Sequence, residues 1–423
     1  GRMAPPKEVV IVGASFGGLQ VASELAGRGD LRVTVVDAQD YWEFTPSMHT
    51  ALAGPRSAEA LLVKLDEALL KDVTFVQGRA TGVVGNRLQV GAETLPFDYL
   101  VVATGCSYSS PIRPEDDDVK VGGETDLAAR RRAVEACKEK VAAAKSVLIV
   151  GGGAVGVEMA AEIAAATASA VGGGGETKKK VCLATNAAEL VLDLPETVRQ
   201  KAAQWLRDAG VDVKFNCKVA SHAEEEEGVY ELTSGSSSGV VVERLEADLC
   251  FWCIGGKPRS AFLKGIAPLD DRGFVVVDPA TLKSPANVNG VYAVGDVAAK
   301  PDAQRLASYA HFEGEYVAKA IVADVDDDDE SSSDAPYVPP PRMVALSLGP
   351  RDGAFVYDSV HVSLFPGFLV PVLKAVIELW FIRLLPMPYT LLKLLPGDHA
   401  ARLWSKPPRR QQRKPPVVVA GAT

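Results

Sequence analysis

Two glycine-rich turns carry the chemistry open to this chain. At Gly151-x-Gly153-x-x-Gly156 a short apolar run, Val147–Val150, opens into a turn and then into an Ala- and Glu-rich helix. In a strand–turn–helix setting the first glycine permits the tight turn. The second lets the backbone approach a pyrophosphate, and the third lets helix and strand pack closely. The helix N-terminus adds unpaired N–H groups and a positive dipole end. A similar unit stands at Gly13-x-Ser15-x-x-Gly18, after the run Glu8–Val12, with Ser15 where the second glycine is usual. The strand Arg32–Val36 then ends at Asp37. That acid follows the turn by about 20 residues, where a carboxylate takes the ribose hydroxyls of an adenosine. Two such units predict two dinucleotides held face to face. The chemistry would be hydride transfer by positioned cofactors, with no essential acid–base dyad from side chains.

Other residues could serve those cofactors. Tyr41-Trp42-Glu43-Phe44-Thr45-Pro46 supplies aromatics and a proline suited to a wall beside a flat ring, with ordinary core packing as the alternative. Nearby, His49 and Arg56 are candidates to meet a phosphate or a flavin edge. The strand Val181–Thr185 ends in Thr185-Asn186 without an acid, which leaves NADPH open alongside NADH. Cys250-x-x-Cys253 has dithiol spacing, but on an extended strand residues three apart point to opposite faces. His311 is a candidate proton donor, with a structural histidine as the alternative. No metal site is expected.

The elements that must position these residues follow from length and pattern. The chain has 423 residues, enough for two or three domains, and 47% hydrophobic content supports large cores. A net charge of −9 argues against nucleic acid as a partner. Six scattered cysteines form no disulfide framework, and no apolar leader precedes the first strand, so an intracellular compartment is expected. Helices are predicted near 18–27, 127–144, 196–209 and 304–323, with apolar strands at 97–103, 249–254 and 289–294. Residues 324–341 are acidic, Ser- and Pro-rich, and read as a disordered linker. Beyond it, Leu364–Leu395 is strongly apolar but broken by Pro366, Pro371, Pro386 and Pro388. Its longest uninterrupted piece carries Lys374, Glu378 and Arg383, too short and too charged to span a bilayer. The expectation is a segment lying on a membrane or in a homodimer contact, followed by a basic tail, Arg402–Lys414, suited to anionic lipid.

The order of motifs resembles a known family. It runs from the first turn with Asp37, through LVVATG at 100–105 and the second turn, to FWCIGG at 251–256 and VYAVGD at 291–296. It is similar to the two-dinucleotide-binding-domain flavoproteins of the pyridine nucleotide–disulfide reductase superfamily. Within it, GVEMAAEI at 156–163 and SLGPRDG at 347–353 resemble the ferroptosis-suppressor and apoptosis-inducing-factor-like quinone reductases. YWEFTP and the AQ at 303–304 resemble type II NADH dehydrogenases. The resemblance implies an α/β fold of two Rossmann-like domains with a C-terminal membrane-associating or dimerising extension. It implies FAD on 5–115 and 257–323, a connecting helix in 116–145, NAD(P)H on 146–256 and a C-terminal domain from 342. Gly13, Ser15, Gly18 and Asp37 would hold FAD, with Thr104, Gly105, Gly295 and Asp296 near it and Pro46 at its edge. Gly151, Gly153 and Gly156 would seat NADH or NADPH, and Gly255 and Gly256 would line the nicotinamide channel. Glu158 would position the nicotinamide over the flavin. The implied activity is electron transfer to a membrane quinone, giving a quinol that traps lipid radicals. A reductase of a soluble acceptor and a flavin-bearing signalling protein are the alternatives. The location implied is peripheral, on the cytoplasmic face of a membrane, a lipid droplet or a mitochondrion.

Overall fold

The structure, a computed structural model, describes residues 5–65, 72–109, 112, 126–171, 179–221, 228–234, 240–300, 305–326, 335–358, 360–362 and 366–384. Its first layer is built from continuous apolar strands, the pattern of parallel strands buried on both faces. The chain runs β1 (Lys7–Val12), α1 (Phe16–Leu25), β2 (Leu31–Asp37), a short helix α2 (Met48–Leu52), β3 (Thr74–Gln77) and β4 (Tyr99–Val102). It continues through α3 (Asp126–Ala143), β5 (Ser146–Val150), α4 (Ala154–Val171), β6 (Lys180–Ala184), α5 (Glu196–Asp208), β7 (Asp212–Lys214) and β8 (Leu249–Trp252). β9 (Val291–Ala293), α6 (Ala307–Asp326), β10 (Met343–Ser347), β11 (Gly353–Tyr357), β12 (Val360–His361) and α7 (Leu369–Leu384) complete it.

Two parallel sheets result. The first has the order β9-β4-β1-β2-β3, with Ile11 opposite Val35 on one side and Val101 on the other. The second has the order β7-β6-β5-β8, with Ile149 opposite Leu183 and Phe251. In each sheet the chain turns in opposite directions on the two sides of β1 or β5. Open α/β sheets bind ligands at the carboxyl ends of the strands at such a switch point. Both glycine turns lie there, one after β1 and one after β5. Ile11, Leu100, Ile149, Phe251 and Tyr292 are fully buried and form the centres of the two sheets. β9 brings the late VYAVGD segment back beside β4, so the first sheet is assembled from both ends of the described chain.

The C-terminal part forms an antiparallel sheet, β10-β11-β12, on which α7 packs. Pro371 falls in the first turn of α7, where a missing N–H costs no intrahelical bond. The first residues of the expected linker 324–341 are helical instead. Asp324–Asp326 complete α6, held by a hydrogen bond from the Tyr99 hydroxyl to Asp324 and an ion pair between Arg28 and Asp326 at 2.6 Å. Ala335–Arg342 is exposed or half-buried but anchored, with Tyr337 N–H donating to the Ala280 carbonyl at 2.6 Å and the Tyr309 hydroxyl donating to the Pro340 carbonyl at 3.0 Å. Composition hid these long-range partners. The middle of the acidic stretch, 327–334, the AQ at 303–304 and the basic tail lie outside the described residues. Among the described residues no helix is long and apolar enough to cross a membrane.

Candidate active site: two dinucleotide cradles and a buried charge cluster

The first turn is shaped by absent side chains. Gly13 has φ +110°, and a Cβ there would fall on the Ala103 carbonyl. A Cβ on Gly18 would fall on the Gly13 carbonyl oxygen, so the third glycine is what lets α1 sit on β1. Ser15 is the N-cap of α1 but makes no side-chain cap bond, and the first turn of α1 carries no acid. Those first N–H groups therefore suit a phosphate. Asp37 stands beside the turn, its carboxylate accepting from Ala14 N–H at 2.6 Å and Gln39 N–H at 2.9 Å.

The remaining residues expected at this cradle come from three segments. The Thr104 hydroxyl donates to the Arg259 carbonyl at 2.6 Å, and Arg259 N–H donates to the Gly105 carbonyl at 3.0 Å. Gly295 has φ +71° and donates its N–H to Glu313 at 2.7 Å. Glu313 is buried against Lys300, and burial pushes its carboxyl above the usual range. This pair holds the Gly295-Asp296 loop, yet nothing in the sequence motif marks it. Asp296 accepts from the Tyr108 hydroxyl at 3.3 Å, and burial raises its carboxyl too. Pro46 is half-buried in a single 3-10 turn, Thr45–Ser47. The aromatics before it do not form a wall beside an open face. Trp42, Phe44 and Phe16 are buried against one another and against Phe381 of α7, with ring centroids 5.2–6.1 Å apart.

The second turn repeats the first. Gly151 has φ +121° and its missing Cβ leaves room for the Cys253 carbonyl; a Cβ on Gly156 would fall on the Gly151 carbonyl oxygen. Gly153 differs from both, because a Cβ there would meet nothing within 4 Å. Packing within the protein does not require glycine at 153, which leaves the backbone there open to the approach of a phosphate. These cradles fit two dinucleotides. Gly255, φ +95°, also faces open space. Gly256 does not line a channel: a Cβ would sit 2.5 Å from the Ser107 carbonyl oxygen, so its role is close packing of two crossing segments.

Glu158, one turn into α4, is 7% exposed and is not presented to an open cleft. Its Oε1 accepts from Lys374 Nζ of α7 at 2.6 Å and from Ser347 N–H at 2.8 Å, and its Oε2 lies 3.7 Å from His49 Nδ1. Burial is the largest influence and opposes its charge, but Lys374, His49 and the Ser347 N–H together outweigh it and keep the carboxyl below its usual range. His49 is buried and so held down to about 4, which makes it neutral at pH 7; its Nε2 has no hydrogen-bond partner among the described residues. Arg56 is not available to a phosphate, because its guanidinium grips Glu378 of α7 at 2.6 Å. Two ion pairs thus join α7 to the cradle region, and neither partner on α7 was assigned a role from the sequence.

One turn further along α4, Glu162 is 3% exposed. Burial, together with the Glu158 charge, pushes its carboxyl up to about 7. A carboxyl raised in the fold contributes stability that is fully present below its unfolded value and lost as pH rises through the folded one. Glu162→Gln is therefore expected to flatten the fall in urea-unfolding free energy between pH 4.5 and 7. The difference from the parent at pH 8 should be roughly 3 kcal/mol. Parallel curves for parent and variant would reject Glu162 as the titrating group.

Two expected alternatives resolve towards structure. Cys250 and Cys253 are free thiols, each pushed by burial up to about 12 and so protonated and unreactive. His311 packs edge-on against Phe312 and Phe381, and burial holds it down to about 4, so it is an uncharged imidazole at neutral pH.

Paired cradles at the switch points of two parallel sheets define a Rossmann-like α/β fold built for two dinucleotides. The chain belongs to the pyridine nucleotide-disulphide oxidoreductase family, whose sequence profile matches residues 7–314. FAD and NAD(P)H are its cofactors. Among curated relatives, Fe-regulated protein 8 of Mycosarcoma maydis is 29% identical over 174 residues, 41% of each chain. The type II NADH:quinone oxidoreductase of Staphylococcus saprophyticus is 32% identical over 105 residues, 23% of this chain and 26% of that one. The matched region thus spans about two-fifths or less of these relatives' length. The sulfide:quinone oxidoreductase of Aquifex aeolicus shares the fold, with a TM-score of 0.72 at 17% identity over 90% of this chain and 91% of that one.

Proposed function

We propose that this chain is an FAD-dependent NAD(P)H:quinone oxidoreductase that works at a membrane surface. The first sheet, with Gly13, Ser15, Gly18, Asp37, Pro46, Thr104, Gly105, Gly295 and Asp296, would hold FAD. The second, with Gly151, Gly153, Gly156 and Gly255, would hold NAD(P)H. Bound FAD supplies the redox chemistry, accepting a hydride equivalent and releasing two electrons, so that NAD(P)H, a proton and a quinone give NAD(P)+ and a quinol. The protein's part is to fix the two nucleotides through the glycine turns and to set α4 through the Glu158–Lys374 pair. The quinone assignment draws on relatives named for quinone reduction. The finer reading, a ferroptosis-suppressor-type enzyme whose quinol traps lipid radicals, draws on the GVEMAAEI and SLGPRDG motifs.

The observation that carries the membrane reading is the inverted polarity of α7. Val370, Lys374, Glu378 and Phe381 lie at helical spacing on the inward face, with both charges paired. Val372, Val376 and Leu379 face outward and are 53%, 58% and 50% exposed, beside exposed Phe368. A helix that buries its charges and exposes its valines has its apolar stripe free for lipid. Stopped-flow mixing tests the reaction: NADH or NADPH should bleach the flavin, and a short-chain ubiquinone should restore it. Bleaching without quinone-driven recovery would leave a flavin reductase of another acceptor. Flotation with anionic phospholipid vesicles tests the surface. Val372→Asp with Val376→Asp is expected to weaken vesicle binding by about tenfold or more while bleaching is retained. Unchanged flotation would reject α7 as the docking face.

A further inference from the structure

The two cradles can be matched atom for atom at their strand ends. Gly13 N–H donates to the Val36 carbonyl at 2.8 Å, and Gly151 N–H donates to the Ala184 carbonyl at 2.8 Å. Val36 and Ala184 are thus equivalent, and so are the residues that follow them, Asp37 and Thr185. Their side chains also occupy equivalent places. Asp37 accepts from Ala14, the second residue of its turn. Thr185 Oγ1 lies where a Cβ on Gly152, the second residue of the other turn, would be 2.9 Å away. Thr185 is buried, and its hydroxyl accepts from Ala187 N–H at 3.2 Å. The second cradle is therefore a copy of the first with the ribose-facing carboxylate replaced by a hydroxyl.

Among the described residues the surroundings neither restore that negative charge at the same point nor offer a dedicated cation. Asn186, next in the chain, is exposed and uncharged. Lys214, whose carbonyl accepts from Thr185 N–H, has its ammonium held by Asp212 at 3.1 Å and Glu243 at 3.0 Å. Arg199 on α5 is paired with Glu189 at 3.4 Å.

We infer that Thr185 makes the second cradle indifferent to a 2′-phosphate on the adenosine ribose, so that the chain takes NADPH as readily as NADH. A carboxylate at this position binds the free 2′-hydroxyl and repels the phosphate. A hydroxyl does neither strongly, and cations already held by carboxylates add little attraction for a phosphate. Discrimination is thereby left to the weak, screened field of the paired groups.

The inference rests on reading the second cradle as the nicotinamide-nucleotide site, and the test separates the two. Holoprotein is titrated calorimetrically with ADP-ribose and with 2′-phospho-ADP-ribose, neither of which can reduce the flavin. The parent should bind both, with dissociation constants within about tenfold of each other. Thr185→Asp should shift their ratio by about 30-fold or more against the phosphorylated ligand, through like-charge repulsion. Thr185→Asn, neutral and of similar size, should leave the ratio within about threefold of the parent's. Flavin absorbance and the melting temperature show whether each variant is folded. Binding of both ligands with strong discrimination by the parent, or an unmoved ratio in Thr185→Asp, overturns the assignment of Thr185. Binding of neither ligand overturns the site reading itself, and the inference with it.

Discussion

Gly156→Ala is expected to remove reduction of the flavin by NADH while the protein stays yellow. A methyl group at this position falls on the Gly151 carbonyl oxygen, a backbone atom that cannot swing aside. The new Cβ also approaches the Cys253 Cβ to 3.4 Å, so the helix is pressed from the β8 side as well. The start of α4 must then move away from β5 by the better part of an ångström. That shift displaces the N–H groups meant for the pyrophosphate, and a misplacement of this size costs about 100-fold in rate. Nothing in the first cradle is touched, so FAD stays bound. Gly18→Ala is the matching variant with the opposite outcome. Its Cβ falls on the Gly13 carbonyl oxygen, and α1 has no room to retreat, because Gly17 packs against Val294 and Ala310 while Gly314 of α6 packs against Gly17. This variant should lose FAD, and with it the yellow colour. Absorbance at the flavin band and single-turnover bleaching distinguish the pair. Equal bleaching rates for Gly156→Ala and the parent would remove the second turn from the reaction.

That pair of variants could be designed from sequence alone, because the glycine turns are local. Strand, turn and helix lie within 20 residues, and Gly18 and Gly156 each answer to the carbonyl oxygen of the glycine that opens their own turn. The parallel strands were legible for a similar reason: buried on both faces, they read as unbroken apolar runs, and their ends fell within a residue or two of 7–12, 31–37 and 146–150. The equivalence of Asp37 and Thr185 was partly visible as a missing acid.

The surroundings of Glu158 were not legible. Its partners Lys374 and Ser347 are 216 and 189 residues away in sequence, and no local pattern announces a buried ion pair at such separation. The same blindness left Lys374 and Glu378 as no more than charges that keep the segment from spanning a bilayer. They are the buried side of α7, because each meets an opposite charge from the cradle region. Asp324 and Asp326 misled in the same way, reading as linker while serving as the last turn of α6. Glu313 and Lys300 lie only 13 residues apart, but an acid on a helix reads as surface until Gly295 N–H is seen to need it.

Lys374→Met should destabilise the protein by about 3–5 kcal/mol, the usual effect of leaving one member of a buried ion pair uncompensated. Glu158 would keep the Ser347 N–H but lose its cation, and His49 beside it is neutral at pH 7 and cannot substitute. Glu158→Gln should be destabilising for the mirror reason, leaving the Lys374 ammonium largely buried. Removing both should recover much of the loss, since a methionine and an amide need no countercharge there. Urea unfolding of the four proteins measures this as a coupling free energy, expected at about 2 kcal/mol or more. Additive losses would mean that the pair does not hold α7 in place. The same four proteins test what Glu158 does for the reaction. If it serves only to anchor α7, the rate of flavin bleaching by NADH recovers in the double variant along with stability. If its carboxylate positions the nicotinamide, bleaching stays slow in both Glu158 variants while FAD content is unchanged, and Lys374→Met alone retains the faster rate. The first pattern is expected, because Glu158 is buried and both its oxygens already face protein groups, Oε1 towards Lys374 and Ser347 and Oε2 towards His49.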